Sequence, residues 1–435
     1  MRTPIGDYAL LSDCQGSALV SLSGSIDWAC LPRFDSRSVF ARVLGKSAGH
    51  WRIGPSEPAE VTREYLADTM VLRTVFRTAS GTFALTDALA LAPDERGHQI
   101  GRGSPHVIVR SIEGIEGDVE ATFELAPRPE YGLTVPVLAP LPGGLCSRGG
   151  AWSYVLSAAG NLAIDGGTAT GRFVVGSGDQ LFFALRVVSA WDDDPPIVHS
   201  QGEVASLLGA TVDGWRSWSA LHQSYDGPYA DQVRHSGRVL QALTYAPSGA
   251  VVAAPTTSLP ETLGGSRNWD YRYCWVRDAS FTLEALWVAA CPDEAGEFFR
   301  FLATASGGQL AAGNTLQILY GIGGERFVPE YEVDHLEGYA RSRPVRVGNG
   351  AWDQVQLDVY GELLSAAWVL AAQVKEFDPI TGGFLVDVAA AAASRWSEAD
   401  QGIWEVRGGP RHFVYSKLMC WVALDRAVQL APLIG

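Results

Sequence analysis

The hydrophobic pattern of this chain changes period once, near residue 195, and that change restricts its fold more than any other feature. Before it, MVLRTVFRTASGTFALTDALA (70–90), PHVIVRSIEGIEGDVEATFELAP (105–127) and TGRFVVGSGDQLFFALRVVSA (170–190) alternate apolar with polar residues. Gly, Pro, Asp and Ser interrupt these runs at short intervals. A period of two with frequent turns predicts an antiparallel β-sandwich. After the change, apolar residues recur at helical spacing over 202–222 and 229–246, then over 276–290, 292–304, 352–375, 383–397 and 415–431. The reading is a two-domain chain, all-β then all-α: a sandwich over 1–195, a helical linker over 196–228 and a domain of six helices over 229–435.

Charge and motif content narrow the function. The 435 residues carry a net charge of −15, which repels phosphate backbones and argues against nucleic acid. A neutral small ligand such as a sugar is indifferent to that sign. The longest apolar stretch, LLSAAWVLAA (363–372), is too short to span a bilayer. The start, MRTPIGDYALLSDC, lacks the basic and apolar regions of a secretory leader, so the chain reads as cytoplasmic. The six cysteines form no Cys-x-x-Cys pair and read as buried thiols. His335 and His412 are isolated, GIGGER (321–326) lacks the spacing of a phosphate-binding loop, and no Gly-x-Ser-x-Gly elbow occurs. No metal and no cofactor are expected.

Chemistry is expected in the long loops of the helical half, 246–275 and 305–351. SRNWDYRYCWVRDA (266–279) interleaves Trp269, Tyr271, Tyr273 and Trp275 with Arg267, Arg272, Arg277, Asp270 and Asp278. Aromatic faces cover the C–H faces of a pyranose and charged groups bind its hydroxyls; a purely structural aromatic and ion-pair knot fits the same residues. EYEVDHLEGYARSRPVRVGNGAWDQ (330–354) is a second charged loop, with a Pro- and Gly-shaped RPVRVGN inside it. In QGIWEVRGGPRHFVYSK (401–417), Glu405 stands between Trp404 and Arg407. Desolvation beside a Trp raises a carboxyl's pKa and suits it to donate a proton, although a surface Glu–Arg pair is the plainer alternative.

Together these segments resemble a known family. GDYALLSDCQGSALVSLSGSIDWACLPRFDS (6–36) looks like the opening of the bacterial trehalase-like N-terminal domain. APTTSLPETLGGSRNWDYRYCWVRDASFTLEAL (254–286), LEGYARSRPVRVGNGAWDQVQLDVYGE (336–362) and GIWEVRGGPRHFVYSKLMCWVALDRA (402–427) resemble glycoside hydrolase family 15. The resemblance implies a β-sandwich followed by an α/α barrel of twelve helices. It implies inverting, exo-acting hydrolysis of α-glucosidic bonds, as in glucoamylases, glucodextranases and α,α-trehalases, with trehalose the preferred expectation over an α-glucan. It assigns Glu405 as general acid and Trp275, Arg277, Asp278, Arg343, Asn349 and Trp404 to the sugar. The family's general base lies well downstream of the IWE motif and is expected outside this chain. Twelve helices need on the order of 350 residues, whereas 229–435 holds 207, so the barrel is expected to be about half present. A non-catalytic sugar-binding protein that retains the pocket without the base is the alternative from another class.

Overall fold

The structure is a computed structural model that describes residues 2–192, 196–221, 225–288, 292–306, 310, 313–372 and 376–434. It divides into two compact units. Unit 1 comprises Met1–Leu221, Ser258–Asn268 and Val333–Val345; unit 2 comprises His222–Thr257, Trp269–Glu332 and Arg346–Gly435.

Unit 1 is antiparallel β-structure organised by one long strand, Val107–Ala126. Its first half pairs with Gln180–Ser189 and Gly81–Leu89; its second half pairs with His50–Pro55 and Thr168–Gly176. The strand thus passes from one layer to the other, with Gly114 and Gly117 at the crossing, as corner strands of sandwiches do. Both positions require glycine: a Cβ on Gly114 would lie 1.9 Å from the Gly176 carbonyl oxygen, and Gly117 has φ +67°. Trp51, Phe83, Leu85, Phe123, Leu125, Phe183 and Leu185 fill the space between the layers. One buried ion pair crosses this core. Arg110 Nε donates to Asp87 Oδ1 at 2.8 Å, and its other nitrogens donate to the carbonyls of Trp51 and Gly24, so the guanidinium is buried but satisfied. Helix α1, Gln201–Leu221, completes the unit with Trp215 and Trp218 buried on one face.

Unit 2 is helical. Its helices are α2 Ala230–Ala242, α3 Val276–Val288, α4 Pro292–Ser306, α5 Asp358–Ala371, α6 Pro379–Arg395 and α7 Val414–Ile434. These fall on the six periodic segments of the sequence, but 243–246 and 352–357, expected to be helical, are turn, strand or irregular; residues 289–290 and 373–375 lie outside the described residues. Helix α6 starts where its cap dictates: the Asp378 carboxylate accepts from the amides of Ile380 and Thr381, and Pro379 occupies the first turn. Helices α5 and α7 approach closely because Gly361 has no side chain; a Cβ there would stand 2.3 Å from the Met419 carbonyl oxygen. The pattern predicts no strand in this half, yet short ladders occur, such as Cys274–Trp275 with Leu319–Tyr320 and Tyr331–Glu332 with Arg346–Val347. None exceeds two strands among the described residues, and each is too short to display a period. Five cysteines are buried free thiols; Cys291 lies outside the described residues.

Candidate active site

Three chain segments of unit 2 deliver the polar cluster. The short strand Cys274–Trp275 runs directly into α3, which places Arg277 and Asp278 in that helix's first turn. A carboxylate there is favoured by the helix dipole. The segment 354–357 leads into α5 and carries Gln356 and Asp358. The third segment is the loop 400–411, closed at its base by paired backbone hydrogen bonds between Asp400 and Arg411. It is stitched to the second: Gln401 exchanges hydrogen bonds with Val355, and the Leu357 amide donates to Asp400 Oδ2 at 3.0 Å. Glu405 sits at the loop's tip with φ +50°, a conformation that costs a non-glycine residue on the order of 1–3 kcal/mol.

The side chains converge on Glu405. Trp275 Nε1 donates to its Oε1 at 2.8 Å, and Arg277 Nη2 reaches the same oxygen at 3.4 Å. Arg277 Nη1 donates to Gln356 Oε1 at 2.8 Å and to Asp358 Oδ2 at 3.0 Å. Burial drives the Glu405 carboxyl above the ordinary range; the Trp275 hydrogen bond and the Arg277 charge pull it back, and the Asp278 charge adds to the rise. Burial likewise raises Asp358 and Asp278, in each case against Arg277. Burial alone would weaken Arg277 as a cation, but Asp358, Glu405 and Asp278 more than offset it and hold its pKa up. One turn along α5, Glu362 accepts from Tyr415 Oη at 2.6 Å; burial raises its carboxyl too. The cluster therefore gathers around one guanidinium several carboxyls whose pKa values burial raises.

The structure sorts the sequence-derived residues unevenly. Trp275, Arg277 and Glu405 come together, and Asp278, exposed in the first turn of α3, acts on Arg277 and Glu405 through its charge. Trp404 is 82 % exposed. Asn349 is buried and engaged in the fold: its amide donates to the Asp270 carbonyl at 3.2 Å and its oxygen accepts from the Ala351 amide at 3.0 Å. Asp270 in turn forms a wholly buried pair with Arg272, at 2.9 and 2.7 Å. Arg343 belongs to unit 1, where it is exposed and donates to the Asp334 carbonyl at 3.4 Å. Gln356, Asp358, Glu362 and Tyr415 escape the sequence reading. The only signal for two of them is the i, i+4 spacing of Asp358 and Glu362, which puts both acids on one helix face. Among the described residues no group of His, Cys, Asp and Glu is arranged to hold a metal ion, and no helix is long and apolar enough to cross a membrane.

Comparison with known proteins identifies the family. Residues 227–435 match the family described as glycosyl hydrolases family 15, and residues 1–198 match the trehalase-like N-terminal domain. A trehalase of Mycolicibacterium smegmatis is 39 % identical over 452 residues, covering 99 % of this chain and 67 % of its own length. Trehalases of Mycobacterium tuberculosis and Thermoplasma volcanium are 38 % and 32 % identical, covered over 65 % and 67 % of their lengths. The chain thus spans about two thirds of the length of these relatives. With that identity over nearly all its residues, and with Trp275, Arg277 and Glu405 held in contact, this chain belongs to glycosyl hydrolases family 15.

Proposed function

We propose that the chain serves an α,α-trehalase, with Glu405 as the general acid that protonates the oxygen between the two glucose units. The observation that carries this reading is the environment of Glu405. Its carboxyl is pushed toward the neutral form by burial, while Oε1 already accepts from Trp275 and Arg277. With Oε1 committed as an acceptor, the proton of the neutral acid belongs on Oε2, facing the leaving oxygen. Arg277, fixed by Gln356 and Asp358, and Asp278 beside it would hold the hydroxyls of the glucose under attack. Inversion needs a second carboxylate roughly 6.5–9.5 Å from the acid, with room for water. Asp358 is bound to Arg277 and Glu362 to Tyr415, so neither is free for that task. We assign the base to the part of the relatives' length that this chain does not span. The preference for trehalose rests on the relatives, all three of which are trehalases.

Trp404 favours a second substrate reading. An exposed indole next to the acid offers a stacking surface for further units of an α-glucan. Calorimetric titration of the chain with trehalose, maltose and isomaltose, paired with a glucose-release assay, separates the two. Trehalose should bind most tightly, Glu405→Gln should keep that binding, and Arg277→Met should weaken it about 10- to 100-fold, the worth of a charge-assisted hydrogen bond. Absence of trehalose binding, or maltose preferred over it, sinks the trehalase reading.

A further inference from the structure

A second candidate site lies within unit 1, and none of the residues of the Glu405 cluster lines it. A cavity of 720 Å³ opens between the N-terminal residues, the loop 42–46, the strand at Arg52 and the segment 337–341. The charged groups on its wall are five cations, Arg2, Arg42, Lys46, Arg52 and Arg341, against two carboxylates, Asp27 and Glu337. In a chain of net charge −15 this local excess of positive charge runs against the whole.

Two carboxylates offset five cations only in part. Asp27 is buried and already supplied with neutral donors: Tyr8 Oη donates to Oδ2 at 2.9 Å and Ser25 Oγ to Oδ1 at 2.5 Å. Arg42 Nη1 stays 4.0 Å from Oδ1, beyond hydrogen-bonding distance. Arg52 donates to neutral oxygens, Thr122 Oγ1 at 2.6 Å and the Pro55 carbonyl at 3.2 Å, so among the described residues no carboxylate takes a hydrogen bond from it. Its pKa is lowered by burial and by the repulsion of Arg42 and Arg110, against the pull of Glu124. Two like charges held together in this way gain from a counter-ion between them. The side chains of Lys46 and Arg341 are exposed, and neither has an ion pair or hydrogen bond among the described residues.

The backbone that presents Arg341 is strained in order to do so. Gly338, Ala340 and Arg341 have φ of +72°, +56° and +62°, a conformation that costs a residue other than glycine on the order of 1–3 kcal/mol. Tyr339 pins the turn: its hydroxyl donates to the Thr3 carbonyl at 3.1 Å, and the Arg2 guanidinium lies 4.7 Å from its ring centre.

We propose that this cavity binds the phosphate group of a phosphorylated sugar. Converging guanidinium and ammonium groups suit a dianion. The volume, within the range of small-molecule sites of about 300–1,000 Å³, exceeds what a bare phosphate fills. Tyr8, Tyr339 and the hydroxyls of Ser23 and Ser25 on the same wall suit a polyhydroxylated remainder.

The test is calorimetric titration and thermal-shift measurement of the full chain with glucose 6-phosphate, inorganic phosphate and glucose. These are repeated on Arg42→Gln, Lys46→Gln and Arg341→Gln, with circular dichroism to verify folding. Glucose 6-phosphate should bind and raise the melting temperature. Arg42→Gln and Arg341→Gln should each weaken it tenfold or more, Lys46→Gln should weaken it less, and added salt should weaken it in the parent. Glucose binding, which belongs to the Glu405 cluster, should be the same in all three variants. No binding of glucose 6-phosphate, or binding that folded Arg42→Gln and Arg341→Gln leave unchanged, overturns the site. Inorganic phosphate binding as tightly as glucose 6-phosphate overturns the sugar part of the assignment.

Discussion

Trp275→Phe isolates the hydrogen bond that tunes Glu405. The indole is 3 % exposed and donates to Oε1 at 2.8 Å; the Glu405 side chain is one quarter exposed. Phe keeps the ring and its packing but removes the donor. A hydrogen bond to a charged group contributes about 1.5–3 kcal/mol, and one to the neutral acid about half as much. The bond therefore favours the carboxylate by roughly 0.7–1.5 kcal/mol, and at 1.36 kcal/mol per pH unit its loss raises the Glu405 pKa by about half a unit to one unit. Burial, the main cause of the existing upward shift, then acts with less opposition. The titration is read by carboxyl NMR of chain labelled with ¹³C-glutamate, the Glu405 signal being the one lost in Glu405→Gln. The midpoint should move up in Trp275→Phe. In any version that turns over substrate, the alkaline fall in activity should move up with it, because the acid stays protonated to higher pH. A midpoint that stays put or moves down would show that water replaces the indole, and that Trp275 does not set the acid's strength.

Other consequences are open to direct measurement. Glu405→Gln should cut turnover 10²- to 10⁴-fold, the usual contribution of a positioned acid, with trehalose affinity retained; more than a tenth of the original rate would remove Glu405 from that role. Arg272→Met leaves Asp270 buried without its cation, which should cost about 3–5 kcal/mol and lower the melting temperature by roughly 10 °C, whereas Arg267→Met at the exposed Glu261 pair should change it little. His50 is buried near Arg42, Arg128 and Arg52; burial first and then these charges depress its pKa from 6.5 to about 3. Its folded form stays neutral while the unfolded chain protonates, so its contribution is intact above pH 6.5 and lost as pH falls toward 3. By pH 5 the loss is about 2 kcal/mol, less whatever the Glu124 carboxylate 3.3 Å away returns. His50→Gln should flatten the fall in urea-unfolding free energy between pH 7 and 5; an unchanged slope would assign it to other groups.

The fold is largely legible in the sequence because its two halves differ in period, and period survives in a single chain. Alternation from 70 to 190 corresponds to strands, and each helical pattern after 229 to a helix. What stays hidden is non-local. Nothing in SLPETLGGSRN or VDHLEGYARSRPV marks 258–268 and 333–345 as parts of unit 1, since their partners are distant in sequence: Asn268 Nδ2 donates to the Pro344 carbonyl at 3.2 Å, and His335 Nε2 meets the Tyr131 carbonyl at 2.8 Å. The site is legible in proportion to its oddity. WVRD and IWE stand out as charges beside Trp and do converge, whereas Gln356, Asp358 and Tyr415 look like ordinary residues at the ends of helices. Asn349 and Trp404 stand out equally, yet the first is engaged by backbone groups and the second faces solvent, which composition cannot reveal.

The surface of α7 carries one more consequence. Ser416, Met419, Cys420, Ala423 and Leu430 are buried, and the carbonyl of Met419 meets α5 at Gly361. Val414, Leu418, Trp421 and Val428 are 87, 51, 62 and 75 % exposed. The exposed set falls at i, i+4, i+7 and i+14, a single stripe along 21 residues of helix. A helix apolar on both faces is an interior helix, and covering a large apolar side chain stabilises by about 1.5–3 kcal/mol. Four such residues per copy represent on the order of 6–12 kcal/mol of burial free energy, against an association cost of about 4–15 kcal/mol, so pairing depends on concentration. The 435-residue chain should therefore elute from a size-exclusion column as concentration-dependent oligomers or bind its own copies into aggregate. Replacing Leu418, Trp421 and Val428 together by Gln should shift it toward monomer with its melting temperature preserved, because none of the three packs in the core. A parent chain that stays monomeric at high concentration, or a triple variant that unfolds, would show that this stripe is covered or structurally required after all.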